Sequence, residues 1–391
     1  MRNSQSAKIV CLSNAFDQNY HEVRGEEIDR CLSASKRRDL YHCLQQATGK
    51  QILILSSPPK AKFRRTAKWL APVHTTFANH SQFVSGNWDI PKLRVPLSWI
   101  FYARHVLKHV RSGDLVLFDN YEFIYVFAAL FVKLFRRVQF ILEYEDGKHL
   151  IDRSWARCLS GSAEFFGKRL ITAALLTHPA LGRRLPKRVR TVLVPGFVSK
   201  TSERRLPPQP GAIINLLYSG SLDRTRGVDL LLETIPLFPD AGWHLHLSGS
   251  GELQDQAKKI SERWPEKITF HGALSNSAYA ELLSQCHIGL NCQRDSDPIS
   301  GVTFPSKVFN YLSAGLLVIS SRASEVPAIC GEACRYYDAE TPSSLARAIT
   351  SVLEDKSVFS NLIARQSAVE KYSVDGTVVR LQEWLRKSKL T

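Results

Sequence analysis

Two α/β domains in succession, each built on a mostly parallel sheet, are what this 391-residue sequence predicts. Three observations carry that reading. Strand-like apolar runs alternate with segments of helical period through the first half. The pattern stops across residues 196–211 (GFVSKTSERRLPPQPG), where three prolines, two glycines and paired arginines leave little to bury. The same alternation then restarts at Ile213. Alternation of this kind favours a parallel sheet with helices on both faces.

In the first half the candidate strands are Lys8–Leu12, Gln51–Leu55, Asp114–Phe118, Val138–Leu142 and Val189–Val194. Helical period marks Arg24–Gln46, Glu122–Phe135 and Asp152–Arg169, while residues 60–100 have no assignable pattern. In the second half the strands are Ile213–Ser219, His244–Ser248, Lys267–His271, His287–Asn291 and Leu316–Ser320. The helices there are Val228–Leu237, Leu253–Trp264, Ser277–Cys286, Pro305–Ala314 and Pro342–Glu354. The domain limits that follow are 1–198, a linker at 199–211, 212–373, and an amphipathic segment at 374–391 that could pack back on the first domain.

The apolar content, 44%, is that of a globular chain. Its longest apolar stretch, Phe123–Leu134, is broken by Lys133 and is too short to cross a bilayer. Residues 1–7 lack the apolar region of a secretory signal. The eight cysteines are scattered without a CxxC pair and read as reduced thiols. Cys330 and Cys334 could form half of a metal site, but no matching second pair lies nearby, so no metal is expected.

The net charge of +16 is confined to one half. Residues 1–200 hold 32 Lys and Arg against 15 Asp and Glu, whereas residues 201–391 hold 20 against 21. A one-sign field on one domain attracts nucleic acid, an anionic bilayer or a phosphorylated substrate; the alternative is that it only aids solubility.

Four motifs could carry chemistry. In Tyr218–Gly227 (YSGSLDRTRG) a strand runs into a glycine turn before a helix, so Gly220 lets backbone approach a ligand and Arg226 could fork onto phosphate oxygens. Leu247–Glu252 (LSGSGE) repeats the strand–glycine–helix turn at Gly249 but lacks the third glycine of a dinucleotide fingerprint. In Thr303–Gly315 (TFPSKVFNYLSAG), Pro305 suits a helix start and Gly315 its end. The amides near Thr303 and Phe304, with Lys307 and Asn310 one turn apart, would suit a diphosphate joined to a ribose. Finally, Glu143, Glu145 and Asp146 crowd the end of a buried strand, where open α/β sheets face their ligands. One of these acids could move a proton or hold sugar hydroxyls. His149 and His178 are further candidates. Each motif has an ordinary structural explanation as well: a tight turn, a capped helix, a polar loop.

From Leu217 to about Leu353, in order, YSGSLDRTRGVDLLLET, LSGSGEL, ITFHGALSNSAYAELLSQCHIGLN, FPSKVFNYLSAGLLVIS and SEVPAI resemble the family-four glycosyltransferases of GT-B fold. The resemblance covers about a third of the chain and is only loose in the first half. It implies two Rossmann-like domains facing across a cleft, with the last helix crossing back to the first. It implies a nucleotide-diphosphate sugar donor, held mainly by the second domain without a required metal or cofactor. Gly220, Ser221 and Gly249 would lie by the diphosphate, with Arg226 where the family usually has Lys and Ser221 where many members have Arg. His271, Gly272 and Leu274 would flank the base. The family's paired glutamates fall on Val302 and Asn310; Asn310 can still bond a ribose, and Lys307 belongs to an FPSK variant of this loop. Glu145 falls near the position of the family's first-domain histidine and is the candidate for contact with sugar or acceptor.

The expected activity is transfer of a sugar, with retention, to a lipid-linked or polysaccharide acceptor in cell-surface glycan assembly. Arg226 and Lys307 would stabilise the departing phosphate. The expected location is cytoplasmic, peripheral to the inner face of an anionic membrane through the basic first domain. Two alternatives remain open: a nucleotide-sugar epimerase on the same fold, and an inactive GT-B scaffold. Nucleic acid is not an expected partner, because the basic half carries no recognised binding motif.

Overall fold

The computed structural model describes residues 7–16, 20, 34–58, 68–90, 93–145, 156–198, 208–209, 211–361, 367 and 369–390. Outside them lie Asp146, His149, most of the expected linker (199–207 and 210) and the first parts of the helices expected at Arg24–Gln46 and Asp152–Arg169. The chain divides into two compact units, Met1–Val194 with Thr377–Thr391, and Pro195–Gly376.

The first unit is built on β1 (Ile9–Leu12), β2 (Ile52–Ser56), β3 (Lys68–Leu70), β4 (Val73–Phe77), β5 (His80–Val84), β6 (Asn87–Asp89), β7 (Leu115–Asp119), β8 (Gln139–Tyr144), β9 (Ile171–Leu176) and β10 (Arg190–Leu193). Eight of these form one sheet in the order β10-β9-β8-β7-β1-β2-β5-β4. Only the β4–β5 pair in it is antiparallel. Strands β1, β2 and β7 are buried along their whole length. Helices cover both faces of such strands, which is why they read as unbroken apolar runs.

Several elements were not legible in the sequence. Strand β9 (ITAALL) follows the helix Ala156–Leu170 without a connecting loop, so no turn residue separates their patterns. Strands β3 and β6 pair only with each other and have three residues each, too few to show a period. The helix Arg94–His109 buries only Tyr102, Ala103 and Val106, a narrow stripe inside an aromatic and basic stretch.

The helix Val374–Ser388 packs on edge strand β10. It buries Leu381, Trp384 and Leu385, each worth roughly 1.5–3 kcal/mol. Arg380 Nη1 donates to Leu193 O at 2.6 Å and Trp384 Nε1 to Arg190 O at 3.2 Å. The helix thereby covers carbonyls that an edge strand would otherwise leave open.

The second unit is a single parallel sheet of β11 (Ile214–Ser219), β12 (Trp243–Ser248), β13 (Ile268–Gly272), β14 (Ile288–Asn291), β15 (Leu317–Ser320) and β16 (Cys334–Tyr336). Their order is β13-β12-β11-β14-β15-β16. This is the doubly wound order 3-2-1-4-5-6, with its switch point between β11 and β14, where such sheets open a ligand crevice at their carboxyl ends. The helices Val228–Thr234 and Pro342–Glu354 pack together over a core of Leu216, Leu245, Leu290 and Ile319. Cys11, Cys43, Cys286, Cys292, Cys330 and Cys334 are free thiols, and all six are buried.

Close packing at the switch point demands a glycine in β14. A Cβ on Gly289 would lie 2.3 Å from the Tyr311 ring. Gly289→Ala should therefore lower the unfolding free energy by about 1–3 kcal/mol, read from urea denaturation. An unchanged midpoint would contradict this packing.

Candidate active site

At the carboxyl edge of the second sheet, three glycine turns stack by backbone hydrogen bonds. Gly220 N donates to Ser248 O at 3.0 Å, and Gly249 N donates to Gly272 O at 2.8 Å. Gly220 and Gly249 have φ of 134° and 135°, values that side chains rarely allow. A Cβ on Gly249 would fall 1.8 Å from Gly220 O. The sequence placed these three turns along one polypeptide; the sheet order makes them neighbours.

Lys307 reaches this edge from the helix Ser306–Ser313, whose N-cap is Pro305. Its stem is partly exposed, but its Nζ is buried and has no hydrogen-bond partner. Nζ lies 3.8 Å from the Tyr218 ring centroid, a cation–π contact, and 3.3 Å from where a Gly220 Cβ would stand. Burial pushes its pKa down to about 7; the Cys292 thiol opposes that fall, and the Arg226 charge adds to it.

Arg226 ends the 3-10 turn Arg224–Arg226, and Gly227 follows with φ of 69°. A Cβ on Gly227 would meet Cys292 O at 1.8 Å, so only glycine brings the turn against the end of β14. Arg226 Nη1 then donates to Gln293 Oε1 at 2.5 Å. The Gln293 amide is buried and oriented, since its Nε2 donates to Ser300 Oγ at 2.9 Å and to Ser324 Oγ at 2.6 Å. Gln293 carried no sequence signal of its own. Its position just past β14 becomes meaningful only once β14 is known to flank β11.

The remaining candidates take varied places. Ser221 is exposed, and its hydroxyl donates to Asp223. Asn310 is exposed on the Lys307 helix, and Tyr279 lies beside both Asn310 and Ser219. The Thr303 hydroxyl donates to Ile299 O at 2.9 Å, and the Phe304 ring packs 4.8 Å from Phe309 in the core. Both side chains are therefore spent inside the unit, leaving their backbone amides as the groups that could meet a ligand. Val302 closes the 3-10 turn Pro298–Gly301.

His271 Nε2 lies 3.0 Å from His246 Nδ1, with the rings stacked. Burial holds both pKa values down, that of His246 to about 4 with the neighbouring His244 adding to the fall. At neutral pH this pair is uncharged and shares one hydrogen. Leu274 is half-buried nearby in sequence, past Gly272.

Glu145 belongs to the first unit, beyond the end of β8. Lys36 Nζ donates to its Oε1 at 3.3 Å and Arg37 Nη2 to its Oε2 at 3.1 Å. Arg37 also pairs with Asp119. Burial raises the pKa values of Asp119 and Glu143 beside it. The cluster sits where β7 and β8 end, beside that sheet's own switch point between β1 and β7. His178 instead caps a short helix, its Nδ1 accepting from Ala180 N at 3.2 Å. Cys330 and Cys334 are both buried, and no group of three metal-ligating side chains occurs among the described residues.

Residues 214–355 match the family described as "Glycosyl transferases group 1". No curated protein matches the chain by sequence. Among solved structures, sucrose-phosphate synthase from Thermosynechococcus elongatus superposes with a TM-score of 0.68 at 13% identity, over 98% of this chain and 100% of that one. HepE of Anabaena, in complex with UDP and glucose, gives 0.68 at 12% identity over 98% and 100%. Starch synthase IV from Arabidopsis thaliana, bound to ADP and acarbose, gives 0.66 at 9% identity over 99% and 100%. The chain has the two-domain α/β fold of the GT-B glycosyltransferases, and the stretch that matches the group 1 family contains the whole glycine, Arg226 and Lys307 edge.

Proposed function

We propose that the chain is a glycosyltransferase that takes a sugar from a nucleoside-diphosphate donor and passes it to a lipid-linked or oligosaccharide acceptor. One observation carries this reading: the Lys307 ammonium is buried beside Gly220 at the switch point with no hydrogen-bond partner. A buried unpaired ammonium is costly. A diphosphate would repay that cost, because it supplies anionic oxygens where the cation already points. Arg226, aimed by Gln293, adds a second cation with a fork geometry. The family match over residues 214–355 supports the same chemistry, and HepE was solved with UDP and glucose in place.

In this reading the bond from the anomeric carbon to the diphosphate oxygen breaks as a bond to an acceptor hydroxyl oxygen forms. The acceptor's proton passes to the leaving phosphate, and the configuration is retained. Negative charge grows on the diphosphate during the step, so Arg226, Lys307 and the first amides of the Ser306–Ser313 helix act where they stabilise the transition state more than the bound donor. Asn310 and Tyr279 would hold the ribose, while His271, Gly272 and Leu274 would border the base. Glu145, ion-paired with Lys36 and Arg37, would be the acceptor-side carboxylate. No metal is required in this scheme, since the two cations take that role. The chain would act at the inner face of an anionic membrane, drawn there by its basic first half.

A scaffold role has one observation in its favour: Val302 stands where the resemblance expects a glutamate and cannot bond a sugar hydroxyl. Donor binding with no turnover across acceptors would favour it, and turnover of donor alone to an epimer would favour an epimerase.

Two outcomes test the donor site. Arg226→Ala should weaken nucleoside-diphosphate binding by about ten- to a hundredfold in calorimetry, the ~1.5–3 kcal/mol of a hydrogen bond to a charged group. Unchanged affinity would remove Arg226 from the site. The second outcome follows from Lys307. Its folded pKa, about 7, lies below the ordinary lysine value. The ammonium form binds the diphosphate, so affinity should fall as pH rises above that value, and binding near neutrality should take up a proton. Titrations in buffers of different ionisation enthalpy should show that uptake, and Lys307→Met should abolish it. The same shift makes the folded state bind fewer protons than the unfolded between the two pKa values, so this group's contribution to stability rises with pH across that window.

A further inference from the structure

In a parallel α/β unit the helices run back toward the amino ends of the strands. The first unit therefore gathers its helix C-termini at one end of its sheet. Contacts tie that end together: Gly113 N donates to Arg137 O at 2.9 Å, just before β7. Gln139 Nε2, at the start of β8, donates to Lys389 O at 3.4 Å, just past the last helix. Arg188 Nη2, before β10, donates to Lys168 O at 2.6 Å, near the end of the Ala156–Leu170 helix.

Two kinds of side chain meet there. Arg136, Arg137, Arg169 and Arg188 are exposed, and no carboxylate pairs with them among the described residues. The acids at this end are already engaged: Asp114 accepts from Lys8 N and Arg111 N, Glu164 pairs with Lys168 and Arg184, and Glu383 pairs with Lys387. Beside the cations, Leu134 is 77% exposed, Phe135 56%, Phe165 53% and Phe166 47%, with the Arg169 guanidinium 3.6 Å over the Phe165 ring. Helix dipoles account for cations at C-termini. They do not account for four large apolar side chains in water.

We infer that this end of the first unit is a docking surface for an anionic lipid bilayer, with the arginines on the headgroups and Leu134, Phe135, Phe165 and Phe166 entering the interface. The observations favour a bilayer over a nucleic acid, because a phosphodiester backbone satisfies the arginines but gives the exposed leucine and phenylalanines nothing to bury against. This deepens the membrane part of the proposed function and is independent of its transfer chemistry.

The test uses the full chain and vesicles of phosphatidylcholine, with and without phosphatidylglycerol. Co-sedimentation should require the anionic lipid and weaken with salt. Arg136→Glu with Arg137→Glu should lower partitioning by about tenfold or more. Leu134→Ser with Phe165→Ser should lower it while leaving the salt dependence in place. Leu237→Ser, on the second unit, should change nothing. Nucleoside-diphosphate affinity, measured on the same preparations, should stay at the parent value and reports both folding and the donor site. The inference is overturned if the parent chain ignores anionic vesicles, if it prefers duplex DNA to them, or if the variants at this end partition like the parent while nucleotide binding persists.

Discussion

A cation without a hydrogen-bond partner organises the second unit. Lys307 Nζ is buried against the Tyr218 ring and the Gly220 turn, where burial draws its pKa toward neutrality. Such a group is tolerated in a ligand-free protein because it can shed its proton, and it becomes useful when an anion arrives to keep the proton on. In the proposed reading, the surrounding turns would leave room for that anion. Gly220 and Gly249 remove side chains from the crevice, and their backbones then approach so closely that a Cβ on one would strike the other's carbonyl. Gly227 does the same for Arg226 by letting its turn sit on the end of β14.

The doubly wound order of the sheet is what brings these parts to one place. Strand β11 carries the Gly220 turn, and β14, its neighbour across the switch point, delivers Cys292 and Gln293. Gln293 shows how a buried amide converts fold into aim. Two serine hydroxyls accept from its nitrogen, which leaves its oxygen facing the guanidinium. One of those serines, Ser324, has a φ of 59°, so a strained backbone position also contributes to holding Arg226.

Legibility in the sequence followed element length and locality. The first five strands of the second half stood out as short apolar runs bounded by turn residues, four of them buried along most of their length. Their structural limits differ from the expected ones by a residue or so, as for Ile213–Ser219 against Ile214–Ser219. Strand β16, with three residues, gave no pattern. At the site, glycines and the helix start of Lys307 were visible because they are local punctuation. Gln293, Tyr279 and the packing of Gly289 on Tyr311 were not, because each acquires meaning from a partner 20 to 70 residues away in sequence, on the order of a full βαβ crossover or more. Asn310 and Ser221 were legible as motif positions, but only the structure shows that Tyr279 lies beside Asn310 and Ser219 and that Asp223 accepts the Ser221 hydroxyl.

The most direct test of the central claim follows the Lys307 ammonium itself. Reductive methylation with labelled carbon, assigned through Lys307→Met, lets its titration be read by NMR with and without a nucleoside diphosphate. The account predicts a midpoint near about 7 in the unliganded protein and a clear upward move when the diphosphate binds. An ordinary lysine midpoint that the nucleotide leaves unmoved would contradict it.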